Sequence, residues 1–142
     1  MAVFAKSKQN FQVEISADNQ VWYSDEPADA GGDDTAATPM QQLWGALAAC
    51  KIITVQLYAQ RKGWKLDGME VTVRHERKKV ADVPESKQTD ANGVVEVVET
   101  DIRIWGEGLT TEQISRMAEI AERCPVHRTI VNEVIIRKTV LA

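Results

Sequence analysis

Apolar Phe11, Val13 and Ile15 alternate with polar Gln12, Glu14 and Ser16, the two-residue period of a half-buried strand. The turn signal Ala17-Asp18-Asn19-Gln20 and then Val21-Trp22-Tyr23-Ser24 follow, so the start of the chain predicts an antiparallel meander. From Asp25 to Thr38 the period vanishes. The run DEPADAGGDDTAAT is acidic and rich in glycine and alanine, the make-up of an exposed loop. Thr38-Pro39-Met40-Gln41 then announces a helix, with Thr as N-cap, Pro at the first helical position and Gln at capping-box distance. Between Leu43 and Tyr58 apolar residues occupy most of the circumference, with Lys51 the only formal charge. No single stripe accounts for that pattern, so the helix is expected to be buried on nearly all sides. It closes on Gln60-Arg61-Lys62-Gly63, cations near the negative end of the dipole and glycine as the left-handed residue.

A second alternation, Met69, Val71, Val73 and His75 against Glu70, Thr72, Arg74 and Glu76, is separated by ADVPESKQTDANG from VVEVVETDIRIW. The two predict a long hairpin, with a bulge where the apolar phase changes between Val97 and Ile102. A second helix starts near Thr110, with Gln113 at capping-box distance and Ile114, Met117, Ala118 and Ala121 on one face. A short helix restarts at Pro125, and EVIIRKTV predicts a last strand. The order is βββ-α-ββ-αα-β, an α+β chain.

A length of 142 residues, 44% hydrophobic and 27% charged, suits a single domain over residues 1–142 with a real core. A few strands cannot surround so apolar a helix, which points to a homodimer in which a second copy covers part of it. The net charge of −4 argues against a nucleic-acid partner, since phosphate binding needs an excess of Lys and Arg. The opening residues lack a secretory apolar run, and the segment Leu43 to Tyr58 is too short for a bilayer span. A cytoplasmic protein with no membrane partner is expected. Two isolated cysteines make no disulfide framework and in a reducing compartment are catalytic, metal-binding or buried.

Cys124 precedes Pro125, which places it at a helix N-cap with His127 and Arg128 one turn on. Unpaired amides and added cations at such a position favour a thiolate; the competing reading is a cysteine that only closes the apolar face of the preceding helix. Cys50 lies mid-helix within LWGALAACK, where the dipole offers little. Lys51 beside it points about 100 degrees away around the helix. By itself Cys50 reads as core.

The segments TPMQQLWGALAACKIITVQLYAQRKGW and AERCPVHRTI, with a glycine- and aspartate-rich loop before and a strand hairpin between, resemble the OsmC/Ohr family of small organic hydroperoxide peroxidases. The resemblance covers nearly the whole chain. It implies the OsmC-like fold, an intertwined homodimer with curved antiparallel sheets wrapped around long central helices. It also implies a two-cysteine cycle: Cys50 attacks the peroxide and becomes a sulfenic acid, Cys124 resolves it to a disulfide, and an external dithiol, in related members a lipoylated protein, restores both thiols. No metal and no other cofactor is implied. Leu43, Trp44 and Leu47 would favour an organic hydroperoxide.

The family's activating arginine and glutamate have no counterpart, because no arginine precedes Arg61 and the helix opens Met40-Gln41-Gln42. Gln41, Lys51, His127 and Arg128 are the candidate auxiliary groups, with Gln41 read first as a helix cap. Two rivals remain. Cys124, His127, Cys50 and His75 have zinc-ligand chemistry, although their spacing is not a zinc pattern. A non-catalytic dimer binding a hydrophobic small molecule in its cleft would keep both cysteines as packing. The run Arg74 to Lys79 reads as a charge-protected strand rather than a docking patch.

Overall fold

The computed structural model describes residues 1–137. They form two compact units, one from Met1 to Ala46 and one from Leu47 onward.

The first unit holds the meander: β1 (Phe4–Ser7), β2 (Val13–Ala17) and β3 (Gln20–Ser24), antiparallel in the order β1-β2-β3. Asp18 turns the β2-β3 hairpin at φ 49°, a left-handed conformation that Asp tolerates. Phe11 falls in the turn before β2 rather than in the strand. The acidic segment after β3 is not simply an exposed loop, because Asp25 is buried. Its carboxylate accepts from Glu26 N at 2.8 Å, Thr35 N at 3.1 Å and Thr35 Oγ1 at 2.6 Å, so one side chain ties both ends of the segment together. These donors, Thr35 foremost, hold the Asp25 carboxyl below its usual range.

Helix α1 (Pro39–Lys62) starts at the expected capping box: Gln41 N donates to Thr38 Oγ1 at 3.2 Å and Thr38 N to Gln41 Oε1 at 2.9 Å. It ends at Gly63, φ 68°. The chain itself buries only Leu47, Lys51, Val55 and Ala59, one stripe at four-residue spacing. Met40, Leu43, Ile53 and Leu57 stay exposed, so burial on nearly all sides is not met by these elements alone.

In the second unit, β4 (Gly68–Lys79) and β5 (Val94–Trp105) pair antiparallel over their whole length. The expected bulge is absent. Register is continuous from Gly68↔Trp105 to Lys79↔Val94, and the phase change in β5 alters which face is covered rather than the pairing. Gly68 is required where it stands, since a Cβ there would lie 2.2 Å from the Trp105 indole. Within the run Arg74 to Lys79 the hairpin supplies its own ion pairs: Arg74 with Asp101, His75 and Arg77 with Glu96, and Lys78 with Glu76.

Helix α2 (Thr111–Ala121) carries the full Thr110–Gln113 capping box. Its inner face, Met117 and Ala121, packs with Val55 and Ala59 of α1 to form the buried centre, flanked by Met69, Ile102 and Ile104 from the hairpin. Helix α3 (Pro125–Val131) follows. Of the expected last strand, residues 133–137 are without regular structure and 138–140 lie outside the described residues. Among the described residues the architecture is α+β with antiparallel sheets and three α-helices.

Candidate active site

The buried α1 stripe and the turn from α2 into α3 bring both cysteines into one neighbourhood. Cys124 is the N-cap of α3, with Pro125 at the first helical position; its Sγ accepts from His127 N at 3.3 Å. Its own N–H donates to Ala121 O at 3.4 Å, which closes the end of α2 directly onto the thiol. Cys124 is completely buried, and Cys50 of α1 is close enough to act on its ionisation. Both are free thiols, Cys50 half-buried and Cys124 sealed.

The N-cap position was expected to favour a thiolate at Cys124, and here the structure corrects the sequence. Burial pushes this thiol up from its ordinary value, and although the His127 amide works against the shift, the neighbouring Cys50 adds to it. The penalty of placing charge in an apolar interior exceeds what one amide restores. Cys124 therefore rests as a neutral thiol.

Of the candidate auxiliary groups, Lys51 is the one drawn deepest. Its side chain is 1% exposed, and Nζ donates to Glu122 Oε1 at 2.8 Å. Glu122 Oε2 stands 3.4 Å from His127 Nδ1, so one carboxylate links α1 to α3 across the Cys124 segment. The Lys51 charge also acts on Cys124, favouring its ionised form. Arg128 is exposed on the outer side of α3, where it borders a shallow cleft with Thr129 and Asn132. Gln41 is exposed, its amide oxygen committed to the α1 cap. The neighbouring Gln42 accepts from the Trp22 indole at 3.0 Å and donates to Tyr23 O and Ala37 O, a structural bracket with its amide fully used. His75 pairs with Glu96 on the hairpin, apart from the cysteines, and among the described residues no three His, Cys, Asp or Glu side chains gather as a metal-binding group.

Sequence reasoning passed over Glu122. Two signals could have found it. A lysine that is the only formal charge between Leu43 and Tyr58 demands a counter-ion, and a carboxylate at the C-terminal end of α2 opposes the helix dipole unless a cation faces it.

A family model described as OsmC-like protein matches residues 31–138. The chain belongs to the OsmC-like family. Solved structures of the same fold include an organic hydroperoxide resistance protein OsmC from Legionella pneumophila, 21% identical, with a TM-score of 0.61 over 92% of this chain and 88% of that one. An OsmC-like protein from Mycoplasma pneumoniae is 18% identical at a TM-score of 0.64, covering 91% and 85%. The organic hydroperoxide resistance protein OhrB of Bacillus subtilis is 19% identical at 0.58, covering 92% and 89%. No curated protein matches. At these identities the OsmC-like neighbours establish the fold.

Proposed function

We propose that this OsmC-like protein is a thiol peroxidase that reduces organic hydroperoxides through Cys50 and Cys124. The observation that carries the reading is the asymmetry of the two sulfurs: Cys50 is half-buried and reachable, whereas Cys124 is sealed and has Cys50 as its neighbour. An oxidant meets Cys50 first. The Cys50 thiolate attacks the peroxide O–O bond, forming a sulfenic acid and releasing an alcohol. The Cys124 sulfur then displaces hydroxide from the sulfenic sulfur, and the disulfide closes as water leaves. An external dithiol, such as a lipoylated protein, reduces the disulfide. The cycle uses sulfur alone, with no metal or other cofactor.

The same reading takes the chain as a single OsmC-like domain working in the cytoplasm as a homodimer. The exposed Ile53 and Leu57 on α1, each 54% exposed, support a second copy against that helix, where it would also make the substrate site apolar. No described helix is long and apolar enough to cross a membrane.

The test is to treat the reduced protein with about one equivalent of cumene hydroperoxide and map the cysteines by mass spectrometry, beside a Cys50→Ser variant. The expected product is a Cys50–Cys124 disulfide that is lost in the variant. Thiols left unmodified would overturn the peroxidase and favour a dimer that binds an apolar ligand with its cysteines as packing.

A further inference from the structure

Lys51 is the one buried cation among the described residues. It follows Cys50 directly on α1, is clamped by Glu122 at 2.8 Å, and through that carboxylate is joined to His127, whose amide holds Cys124 Sγ at 3.3 Å. Burying an ammonium is costly even when it is paired, and an apolar side chain would fill the same stripe between Leu47 and Val55 without that cost. A lysine here calls for an electrostatic purpose.

We infer that Lys51, held in place by Glu122, is the cation that stabilises the negative charge on the Cys124 sulfur while the disulfide closes. Glu122 is a positioning residue that acts through it. This rests on the peroxidase reading. The groups that act on Cys124 are Cys50 and Lys51 from α1 and the His127 amide of α3, with Glu122 at the end of α2 between Lys51 and His127. In the resting chain burial foremost, with the Cys50 sulfur beside it, keeps Cys124 protonated against the pull of the His127 amide and of Lys51. As the Cys124 sulfur attacks the Cys50 sulfenic acid its negative charge develops beside the Lys51 ammonium, which favours the ionised form. Cys124 loses its proton, its sulfur bonds to the Cys50 sulfur, the S–O bond breaks, and the departing hydroxide takes up a proton to leave as water. The Cys124 sulfur is oxidised as the sulfenic sulfur is reduced, so no further oxidant is needed.

The experiment uses a Cys50→Ser chain, in which Cys124 is the only thiol and no charge stands at position 50. Its thiolate is titrated by absorbance in the ultraviolet, alone and combined with Lys51→Met or Lys51→Arg. Lys51→Met should lower the thiolate fraction about tenfold at a pH on the rising limb, the effect of one unit charge in a partly shielded site. Lys51→Arg should keep the curve within about twofold of its parent, because the charge is retained. An unchanged curve in Lys51→Met would overturn the inference, and an equal loss in both variants would overturn it by assigning the effect to packing. In the two-cysteine chain, cumene hydroperoxide should leave a dimedone-trapped Cys50 sulfenic acid in Lys51→Met where the parent proceeds to disulfide. A parent that forms no sulfenic acid and no disulfide sinks the peroxidase reading separately, while the titration still decides on the Lys51 charge.

Discussion

Removing the carboxylate of Glu122 and removing the ammonium of Lys51 break the same contact, yet the structure implies unequal costs. Glu122→Gln leaves an ammonium whose side chain is 1% exposed facing a neutral amide, whereas Lys51→Met leaves a carboxylate that is 50% exposed and already solvated. The floor for Glu122→Gln is the worth of a surface pair, at most about 1 kcal/mol. Removing one partner from a buried pair costs about 3 to 5 kcal/mol; with half of this pair in water the expected loss is about 2 to 3 kcal/mol. Lys51→Met substitutes an unbranched apolar chain of similar length in the stripe between Leu47 and Val55, and should change stability by less than about 1 kcal/mol in either direction. The double variant should lie near Lys51→Met, since the introduced glutamine then leaves no buried charge uncompensated. Urea unfolding of the four proteins at one concentration measures the cycle, with concentration fixed because self-association would otherwise shift the midpoints. A loss below about 0.5 kcal/mol for Glu122→Gln, or a larger loss for Lys51→Met, would refute the reasoning by showing that the ammonium reaches water.

Two further expectations concern the two compact units. Met117 is fully buried against Val55, Ala59 and Ala121, and small neighbours leave little to collapse into the space, so Met117→Ala should cost about 3 to 5 kcal/mol by urea unfolding; a cost under about 1 kcal/mol would mean that the site is not sealed. Asp25 has its carboxyl held below the ordinary value of 3.8, chiefly by the Thr35 hydroxyl. The unfolded chain then binds more protons than the folded one as pH falls past that value, so the Asp25 contribution to stability is fully present above it and is lost through the lowered folded pKa. Asp25→Asn should flatten that part of the acid limb, and an unaltered slope of unfolding midpoint against pH below about 4 would refute the assignment.

Much of this architecture was legible because it is written in residues three or four apart. The Thr38–Gln41 and Thr110–Gln113 boxes, the Cys124 cap before Pro125 and the left-handed Gly63 all form with their near neighbours. They appear in the structure where the chain's own pattern places them. The strand alternations likewise predicted the meander and the hairpin. The phase change in β5 was misread as a bulge because periodicity reports which face is covered, and pairing with β4 continues unbroken when coverage switches faces.

By itself, then, the sequence determined the succession of elements, their starts and stops, the cap position of Cys124 and the family resemblance carried by its two cysteine segments. Tertiary structure alone decided that Cys50 and Cys124 are neighbours, that Lys51 faces Glu122, and that Asp25 is inside rather than in an exposed loop. It also reversed the expected acidity of Cys124. Local hydrogen bonds depend on spacing along the chain, whereas desolvation depends on which distant residues close over a group, and at this sulfur that burial outweighs the local amide.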